Sequence, residues 1–424
     1  MKNLLIVIIL LSLSSLLFSA PGDLIWRYRV NGGCSSPYVS DGVVYVGGND
    51  FSLYAINCSD GTLKWRSQRG NAYGVHSSPC VSDRVVYIGS GDYYLYAINC
   101  SDGTRRWRYQ TGAYVGSSPC VSDRVVYIGS DDWYLYAINC SGRTMKWRYQ
   151  TGNWIRSSPC ILDGVVYVGS DDHYLYAINC SDGSLKWRYQ TGNWIRSSPC
   201  VSDGVVYVGS NDCHLYAINS SDGTLKWKYK ADSIIFSSPC VSDGVVYVGS
   251  NIYYLYAINS SDGTLEWRYQ TGDAIDSSPC VSDGVVYIGS DDHYLYAINC
   301  SDGTLKWRFQ TDDPIGSSPC VCDGVVYIGS SDCYLYAIET YGYKGFKENK
   351  SASYIPSKSF SVSPNPFASR LSISSSSSVS IYSLTGQLIM QLNKGKHSLD
   401  TSKWREGVYI IKAGKECKRV VKIR

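Results

Sequence analysis

The amino-acid sequence predicts an all-β protein, an eight-bladed β-propeller closed by an N-terminal strand and followed by a small C-terminal β-sandwich domain. Three observations support this prediction. The 424 residues include 38 Tyr, 12 Trp and 40 Gly but only 7 Phe and 3 Met, and Tyr and Trp favour strands while Gly favours tight turns. A unit of 40 residues recurs from Ser77 to Gly316 almost without insertion. The two ends of the repeat region hold complementary parts of one incomplete unit.

The start of the chain has the character of a secretory signal peptide. Lys2 is followed by an apolar run from Leu4 to Phe18, which is short for a membrane span and continues into polar sequence. We therefore interpret residues 1–20 as a signal peptide and expect an exported protein. The formal charge of +3 is nearly neutral, which argues against nucleic acid as a partner.

Each repeat unit contains four short strand-forming segments. In the unit that starts at Ser277, Cys-Val, Val-Val-Tyr-Ile, Leu-Tyr-Ala-Ile and Leu-Lys-Trp-Arg-Phe alternate with turn sequences, two of which contain Asp-Gly. Asp-Gly supplies the positive φ angle that a tight hairpin requires. Arg84 and Arg124 replace this Gly in two units, where we expect strained turns or turns of another type. Four strands in a unit of this length is the spacing of propeller blades.

The ends of the array predict closure into a ring. Ser-Ser-Pro marks the start of each of eight units, at Ser35, Ser77, Ser117, Ser157, Ser197, Ser237, Ser277 and Ser317. The eighth unit stops at Ile338, before its Trp-containing fourth strand, whereas the N-terminus supplies an isolated segment of that kind at Leu24–Tyr28. We predict that this segment completes the last blade, because a closed ring leaves no long exposed sheet edge.

An eleven-residue motif in the units resembles the repeat of the quinoprotein, or PQQ-like, β-propellers. Its first copy, Ala-Ile-Asn-Cys-Ser-Asp-Gly-Thr-Leu-Lys-Trp, runs from Ala55 to Trp65. In that family the Trp packs against the neighbouring blade, and Asp is more common at the position that Asn57 occupies here. We assign residues 21–339 to the propeller on the basis of this resemblance.

A different kind of sequence follows the last unit. Residues 340–357 are polar and irregular and are predicted to form a linker, and residues 358–424 show the alternation of strands. This second part resembles the type A sorting domain of the type IX secretion system. The matching features, in order, are Pro364-Asn365-Pro366-Phe367, Ile381-Tyr382, Gly386, Gly407-Val408-Tyr409 and the basic tail Lys422-Ile423-Arg424. The resemblance implies binding to the secretion machinery, passage across the outer membrane, and release or attachment at the cell surface; an ordinary accessory β domain is the alternative.

The sequence predicts no catalytic residues, cofactor or metal. Enzymes of the resembled family bind their quinone with acidic and amide ligands on loops, and many have a disulfide between adjacent cysteines. Here the units are uniform in length, and the nearest cysteines, Cys320 and Cys322, are not adjacent. Asp-Asp pairs such as Asp171-Asp172 are dispersed around the ring, so turn formation explains them better than metal binding.

The 17 cysteines fall mainly into two series whose chemical state the sequence leaves open. Units two to eight have a Cys after Ser-Ser-Pro, beginning at Cys80, and five units have a Cys at the end of the third strand, beginning at Cys58. One alternative is a set of disulfides that join each third-strand Cys to the first strand of the next unit, as an oxidising compartment would allow. The other is a set of small buried thiols that fill a tight inner strand.

Comparison of the units with one another locates the variable positions. The residue after the Asp-Asp turn and the loop before Ser-Ser-Pro vary, and both segments lie on one face of a four-stranded meander. Aromatic side chains with interleaved Arg or Asp can stack on sugar rings or anchor a protein partner; the alternative is that they fill the central channel. The candidate ligand-binding residues are Tyr73, Tyr114, Trp133, Trp154, Arg156, His173, Trp194, Arg196, Phe236 and His293.

We therefore expect a monomeric, non-catalytic binding scaffold for a glycan or protein ligand, secreted or attached to the outer-membrane surface. A quinone-dependent dehydrogenase-like enzyme is the alternative from the enzyme class. A periplasmic scaffold that assists outer-membrane protein assembly is a third hypothesis. The first cysteine, Cys34, is far from the predicted cleavage region, and this fact and the sorting sequence argue against a lipid-anchored scaffold of that kind.

Overall fold

The computed structural model describes most of the repeat region and seven segments near the C-terminus. The described residues are 20–68, 74, 77–141, 144–340, 360–363, 370–375, 378–383, 388–393, 395–401, 407–413 and 416–422. The chain divides into two compact units, Met1–Gly345 and Phe346–Arg424. The predicted signal peptide and linker therefore lie outside the described residues, apart from one terminal residue of each. Within the described ranges, no helix is long and apolar enough to cross a membrane.

Each of the first seven repeat units forms a four-stranded antiparallel sheet, the eighth forms one together with an N-terminal strand, and the eight sheets are the blades of a propeller. We number the blades 1 to 8 in chain order. The first strands are β2 (Tyr38–Ser40), β6 (Cys80–Ser82), β10 (Cys120–Ser122), β14 (Cys160–Leu162), β18 (Cys200–Ser202), β22 (Cys240–Ser242), β26 (Cys280–Ser282) and β30 (Cys320–Cys322). The second strands are β3 (Val43–Gly47), β7 (Val85–Gly89), β11 (Val125–Gly129), β15 (Val165–Gly169), β19 (Val205–Gly209), β23 (Val245–Gly249), β27 (Val285–Gly289) and β31 (Val325–Gly329).

The third and fourth strands complete each blade toward the outside. The third strands are β4 (Ser52–Asn57), β8 (Tyr94–Asn99), β12 (Tyr134–Asn139), β16 (Tyr174–Asn179), β20 (His214–Asn219), β24 (Tyr254–Asn259), β28 (Tyr294–Asn299) and β32 (Tyr334–Glu339). The fourth strands are β5 (Leu63–Gln68), β9 (Arg105–Gln110), β13 (Met145–Gln150), β17 (Leu185–Gln190), β21 (Leu225–Lys230), β25 (Leu265–Gln270), β29 (Leu305–Gln310) and, for blade 8, β1 (Leu24–Arg29).

The N-terminal strand closes the ring, and the prediction of closure is confirmed. Blade 8 has the strand order β1-β32-β31-β30. β1 pairs antiparallel with β32, with Trp26 opposite Ala337 and Arg29 opposite Tyr334. The last blade is therefore assembled from both ends of the repeat region.

The hydrophobic core lies between adjacent blades. The second strand of blade 3 is buried along its whole length because the sheet packs against a neighbour on each side. The fourth strand contributes Trp147, whose indole N–H donates to the Cys180 carbonyl of blade 4 at 3.0 Å. Gly183 of blade 4 lies against the same ring, where a Cβ atom would come within 2.7 Å of it. Trp147 thus joins the outer strand of blade 3 to blade 4, and the same indole bond to the next blade is made by Trp26, Trp65, Trp107, Trp187, Trp227 and Trp267.

The innermost strands are linked around the channel by serine hydrogen bonds that the sequence does not reveal. The backbone N–H of Ser78 donates to the Ser118 hydroxyl of the next blade at 2.9 Å. The same bond runs from Ser318 to Ser36 across the ring closure, at 2.8 Å. The intervening pairs are Ser118–Ser158, Ser158–Ser198, Ser198–Ser238, Ser238–Ser278 and Ser278–Ser318. The second Ser of Ser-Ser-Pro therefore joins neighbouring blades.

The structure favours the buried-thiol alternative for the cysteines. The cysteines of both series are thiols that form no disulfide. The Cys160 thiol of the first series lies near the backbone of Val201 in the next blade, and the Cys180 thiol of the second series lies near the Tyr127 hydroxyl of the preceding blade. Burial raises the pKa of Cys120 to about 12, so this thiol stays protonated at neutral pH and is a poor nucleophile.

The described strands of the C-terminal unit form two antiparallel sheets, one of three strands and one of four. Leu371 and Ile373 from one sheet and Val379, Ile381 and Ile411 from the other share a core, as expected of a β-sandwich. The Pro-Asn-Pro-Phe segment at 364–367 lies outside the described residues. The strands are β33 (Phe360–Ser363), β34 (Arg370–Ser375), β35 (Val379–Ser383), β36 (Leu388–Leu392), β37 (Gly395–Asp400), β38 (Gly407–Ala413) and β39 (Glu416–Lys422).

Candidate ligand-binding face

The variable segments of the units lie together at one end of the blades. In blade 4, the N–H of Asp171 in the turn after the second strand donates at 2.9 Å to the carbonyl of Trp154 in the entering loop. At the opposite end, the two Asp-Gly turns are joined by a bond from the Cys180 N–H to the Gly164 carbonyl at 2.8 Å. We call the variable end the loop face. It comprises the turns 49–51, 91–93, 131–133, 171–173, 211–213, 251–253, 291–293 and 331–333 and the loops 30–34, 111–116, 151–156, 191–196, 231–236, 271–276 and 311–316.

The second Asp of each Asp-Asp pair builds the turn and attaches the neighbouring loop. One oxygen of Asp172 accepts the Tyr174 N–H at 3.0 Å, and the other accepts the Tyr176 hydroxyl and the Gly152 N–H, both at 2.6 Å. These bonds give the second Asp of the pair a structural role in the turn. Within the described ranges, His, Cys, Asp and Glu side chains form no group of three that could hold a metal ion.

The variable residue of each turn has a left-handed backbone conformation. Its φ angle is 74° at Trp133, 75° at His173 and 73° at His293. The equivalent residues Phe51, Tyr93, Cys213, Tyr253 and Cys333 also have positive φ. Gly or Asn would adopt this conformation with less strain, yet neither occurs at any of the eight positions. Strained residues of this kind are concentrated at functional sites, and Trp133, whose side chain is 43% exposed, is therefore a candidate for ligand contact.

Two consecutive interblade loops each supply a Trp and an Arg to a group of three side chains that an Asp from the turn of the preceding blade completes. In the loop 151–156, the Arg156 guanidinium lies 4.3 Å from the centre of the Trp154 ring and pairs with Asp131 at 3.3 Å. The cation–π contact and the carboxylate together hold the guanidinium against the indole. Trp154 nevertheless remains 40% exposed.

The loop 191–196 repeats this group one blade further on. Arg196 lies 4.5 Å from the centre of the Trp194 ring and pairs with Asp171 at 3.0 Å, and Trp194 is also 40% exposed. We call the two groups the aromatic–cation modules: Trp154, Arg156 and Asp131 form the first, and Trp194, Arg196 and Asp171 form the second. Both tryptophans are thus surface residues of the loop face.

A buried isoleucine fixes each module to the scaffold. Ile155 and Ile195, between the Trp and the Arg, are fully buried. A Cβ atom at Gly129 would lie 2.3 Å from Ile155, and one at Gly169 would lie 2.2 Å from Ile195, so the isoleucines insert tightly between blades. The loops that present the tryptophans are therefore anchored by close packing.

The remaining candidate residues occupy different parts of the loop face. Tyr114 and Phe236 are half-buried in their loops, and His173 and His293 are half-buried in their turns. The Asp131 N–H donates to the Tyr114 carbonyl at 2.9 Å, so Tyr114 lies beside the first module. Burial and the Asp131 carboxylate raise the pKa of Tyr114 to about 12. Phe236 takes the loop position of Arg156 and Arg196 in a later blade, and His293 lies in blade 7, away from the modules. Tyr73 lies outside the described residues.

Apart from the modules, the loop face is acidic, a property that the overall charge of the sequence conceals. Asp276 occupies the position of Arg196 in the loop before blade 7, where it accepts a hydrogen bond from Asn251 at 3.0 Å. Burial and the carboxylates of Asp276 and Asp273 raise the pKa of Asp291. The aspartates of the described loop face are Asp50, Asp92, Asp131, Asp132, Asp171, Asp172, Asp212, Asp232, Asp273, Asp276, Asp291, Asp292, Asp312, Asp313 and Asp332, and its arginines are Arg156 and Arg196.

Two family models match this chain. Residues 16–153, 111–198 and 191–275 match the model described as outer membrane protein assembly factor BamB. Residues 361–423 match the model described as a secretion system C-terminal sorting domain. No functionally curated protein matches the sequence.

Several solved structures share the propeller fold. BamB from Moraxella catarrhalis has a TM-score of 0.67 at 16% identity, over 78% of this chain and 100% of that one. The computationally designed Ika8 protein has a TM-score of 0.66 at 15% identity, over 73% and 98% of the two chains. A europium-containing methanol dehydrogenase has a TM-score of 0.64 at 11% identity, over 72% and 84%. At these identities the similarity shows the fold alone.

Proposed function

Because the chain belongs to the PQQ-like repeat family of β-propellers and carries a secretion-system sorting domain, we propose that it is an exported, non-catalytic binding protein whose ligand lies on the loop face. The sorting domain indicates export to the cell surface or the extracellular space. The observation that carries the binding role is the pair of aromatic–cation modules in consecutive loops.

The geometry of the modules favours binding over a purely structural role. Each Trp is exposed although its loop is anchored by a fully buried isoleucine, Ile155 or Ile195. A rigid aromatic surface loses little conformational entropy when a ligand is bound, and Trp and Arg are enriched among the residues that dominate binding energies. The strained turns at Trp133 and His173 add large side chains to the same face.

The test is the double substitution Trp154→Ala and Trp194→Ala in the propeller. Because both rings are exposed, we expect the thermal midpoint to change little. Binding should weaken by about 1–3 kcal/mol for each Trp if the rings act as ordinary interface anchors. Ligands are to be identified with the unaltered protein on a glycan array and by cross-linking at the cell surface.

The matched control is the double substitution Ile155→Ala and Ile195→Ala in the same two loops. These side chains are fully buried, so each truncation should cost about 2–5 kcal/mol of folding free energy. If the tryptophan variant melts as early as the isoleucine variant, the tryptophans belong to the core and the loop face loses its assignment.

A further inference from the structure

Building on the proposed binding role, we propose that the ligand is a neutral polysaccharide, with the two aromatic–cation modules as consecutive subsites and the surrounding aspartates as a barrier to acidic polymers. Each module offers the chemistry that a sugar ring needs. The exposed part of the Trp154 indole can stack on the C–H groups of a pyranose. Beside it, Arg156 and Asp131 present planar donors and acceptors for hydroxyl groups.

The modules themselves carry no net charge. Arg156 donates through Nε and Nη2 to Asp131, and Arg196 donates through the same two nitrogens to Asp171. Each guanidinium therefore already has a carboxylate partner, whereas a site for an acidic polymer would need cations without one. A neutral ligand with many hydroxyl groups fits this pairing.

The loop face near blade 7 opposes negative charge. In the loop before blade 7, Asp276 stands where the modules have Arg, Ala274 stands where they have Trp, and Asn251 replaces the paired Asp. Asp273 and Asp291 lie in the same region, where burial, followed by the carboxylates of Asp276 and Asp273, raises the pKa of Asp291. Like charges between ligand and surface weaken binding and exclude the wrong partners.

The repetition of the module indicates a ligand that itself repeats. Gly-Asn-Trp-Ile-Arg occurs at 152–156 and again at 192–196, in loops that enter consecutive blades. Two weak contacts at a fixed spacing reinforce each other when a single polymer occupies both, because the second contact forms at high effective concentration. A polysaccharide meets this condition with one chemical unit, whereas a folded protein would have to present the same epitope twice.

The experiment compares matched neutral and acidic forms of the same polymers. Affinity gel electrophoresis of the full chain would use hydroxyethyl cellulose, xyloglucan, galactomannan, mannan and pullulan, each before and after oxidation of its primary alcohols to carboxylates. We expect at least one neutral polymer to retard the protein, and its oxidised form to bind at least about tenfold more weakly at low salt, with a smaller difference at high salt. Trp154→Ala and Trp194→Ala should each reduce the retardation.

Two further variants test the two parts of the mechanism separately. Asp273→Asn with Asp276→Asn should strengthen binding of the oxidised polymer and leave the neutral one unchanged. Asn251→Asp, Ala274→Trp and Asp276→Arg together recreate the module in a third loop and should tighten binding of the neutral polymer; Ala274→Trp alone is the control.

The outcomes separate this inference from the proposed function. Equal or stronger binding of the oxidised forms overturns the neutral-polysaccharide inference, and so does the failure of every polymer to bind. In either case the binding role survives if another ligand is released by the Trp154 and Trp194 substitutions. If no ligand found for this protein depends on those two residues, the proposed function fails as well.

Discussion

At single positions, backbone conformation decides which residues fit without strain in the Asp-Gly turns that follow the first strands. Asp163 and Gly164 both have positive φ, 50° and 73°, as type I′ hairpin turns require. Arg84 and Arg124 keep this conformation, with φ of 60° and 61°. Of the two expectations for these turns, strain is therefore the one that applies, and the turn type does not change.

We predict that Arg84→Gly and Arg124→Gly each stabilise the propeller by about 1 kcal/mol, because a left-handed conformation costs an ordinary residue about 1–2 kcal/mol and the greater flexibility of Gly in the unfolded chain offsets part of the gain. Gly164→Arg is the reverse control and should lose a similar amount. Nothing lies within 4 Å of a Cβ atom at Gly164, so no steric clash confuses the comparison. Urea unfolding of the three variants provides the measurement; a loss of stability in Arg84→Gly would contradict the prediction.

Only some residues of the aromatic–cation modules could be predicted from the sequence. Trp154 and Arg156 could be found because their loop varies between units. Asp131 and Asp171 could be predicted only as turn residues, because their ion pairs join positions 25 residues apart that come together when neighbouring blades pack. The serine bonds around the channel were missed for the same physical reason, since they form only in the closed ring.

At the level of elements, the four strands of each blade follow from turn spacing and apolar alternation, but their register does not. In blade 4, Ala177 pairs with Trp187 while Ile178 pairs with Leu185, so one residue of the outer strand is left unpaired in a bulge. A bulge adds one residue without changing the apolar pattern enough to be recognised. The bulge has less effect on the prediction of the candidate site, because the loops of the site lie at the other end of the blade.

The closing strand β1 contacts two blades at once. It pairs with β32 in blade 8, and its Trp26 indole N–H donates to the Cys58 carbonyl of blade 1 at 2.9 Å. A Cβ atom at Gly61 of blade 1 would lie 2.7 Å from the same ring. The seam between the ends of the chain therefore has the same Trp contacts as a junction within the continuous part of the ring, such as that of Trp227.

We predict that Trp26→Ala destabilises the propeller as much as Trp227→Ala, by about 3–5 kcal/mol each, because both remove a buried indole and its bond to the next blade. Trp227 donates to the Ser260 carbonyl at 3.0 Å within the continuous part of the ring and is the matched control. Deletion of residues 21–30 should lower the thermal midpoint further, since it also exposes the edge of β32. A clearly smaller loss at Trp26 in thermal melts would mean that the seam contributes less than an ordinary junction.

Across the whole molecule, the fold separates charges that nearly cancel in the sequence. The formal charge is +3, but the loop face is rich in Asp, while the outer strands carry Lys and Arg. Arg148, for example, lies 4.3 Å from the centre of the Tyr134 ring. Cations on outer edge strands oppose sheet-to-sheet aggregation. The overall charge could therefore be calculated from the sequence. Its distribution over the surface could not, because it depends on which segments the closed ring brings to the same face.

The division of the molecule into two compact units leads to a prediction about export. The hydrogen bonds that close the ring join residues of the repeat region only, as between Ser318 and Ser36 and between β1 and β32. Removal of residues 358–424 should therefore leave the propeller folded, with an unchanged thermal midpoint. The same removal should stop passage across the outer membrane, because those residues contain the segment that matches the sorting domain.

Fractionation of cells that produce and export the protein checks this prediction. The full chain should be found at the cell surface or in the medium, and the truncated chain in the periplasm. Attachment of residues 358–424 to a periplasmic reporter is the matched control and should carry the reporter outward. Truncated protein in the medium at normal levels would refute the export role of this domain. A full chain confined to the periplasm would instead support the assembly-scaffold hypothesis, because a scaffold of that kind acts inside the outer membrane.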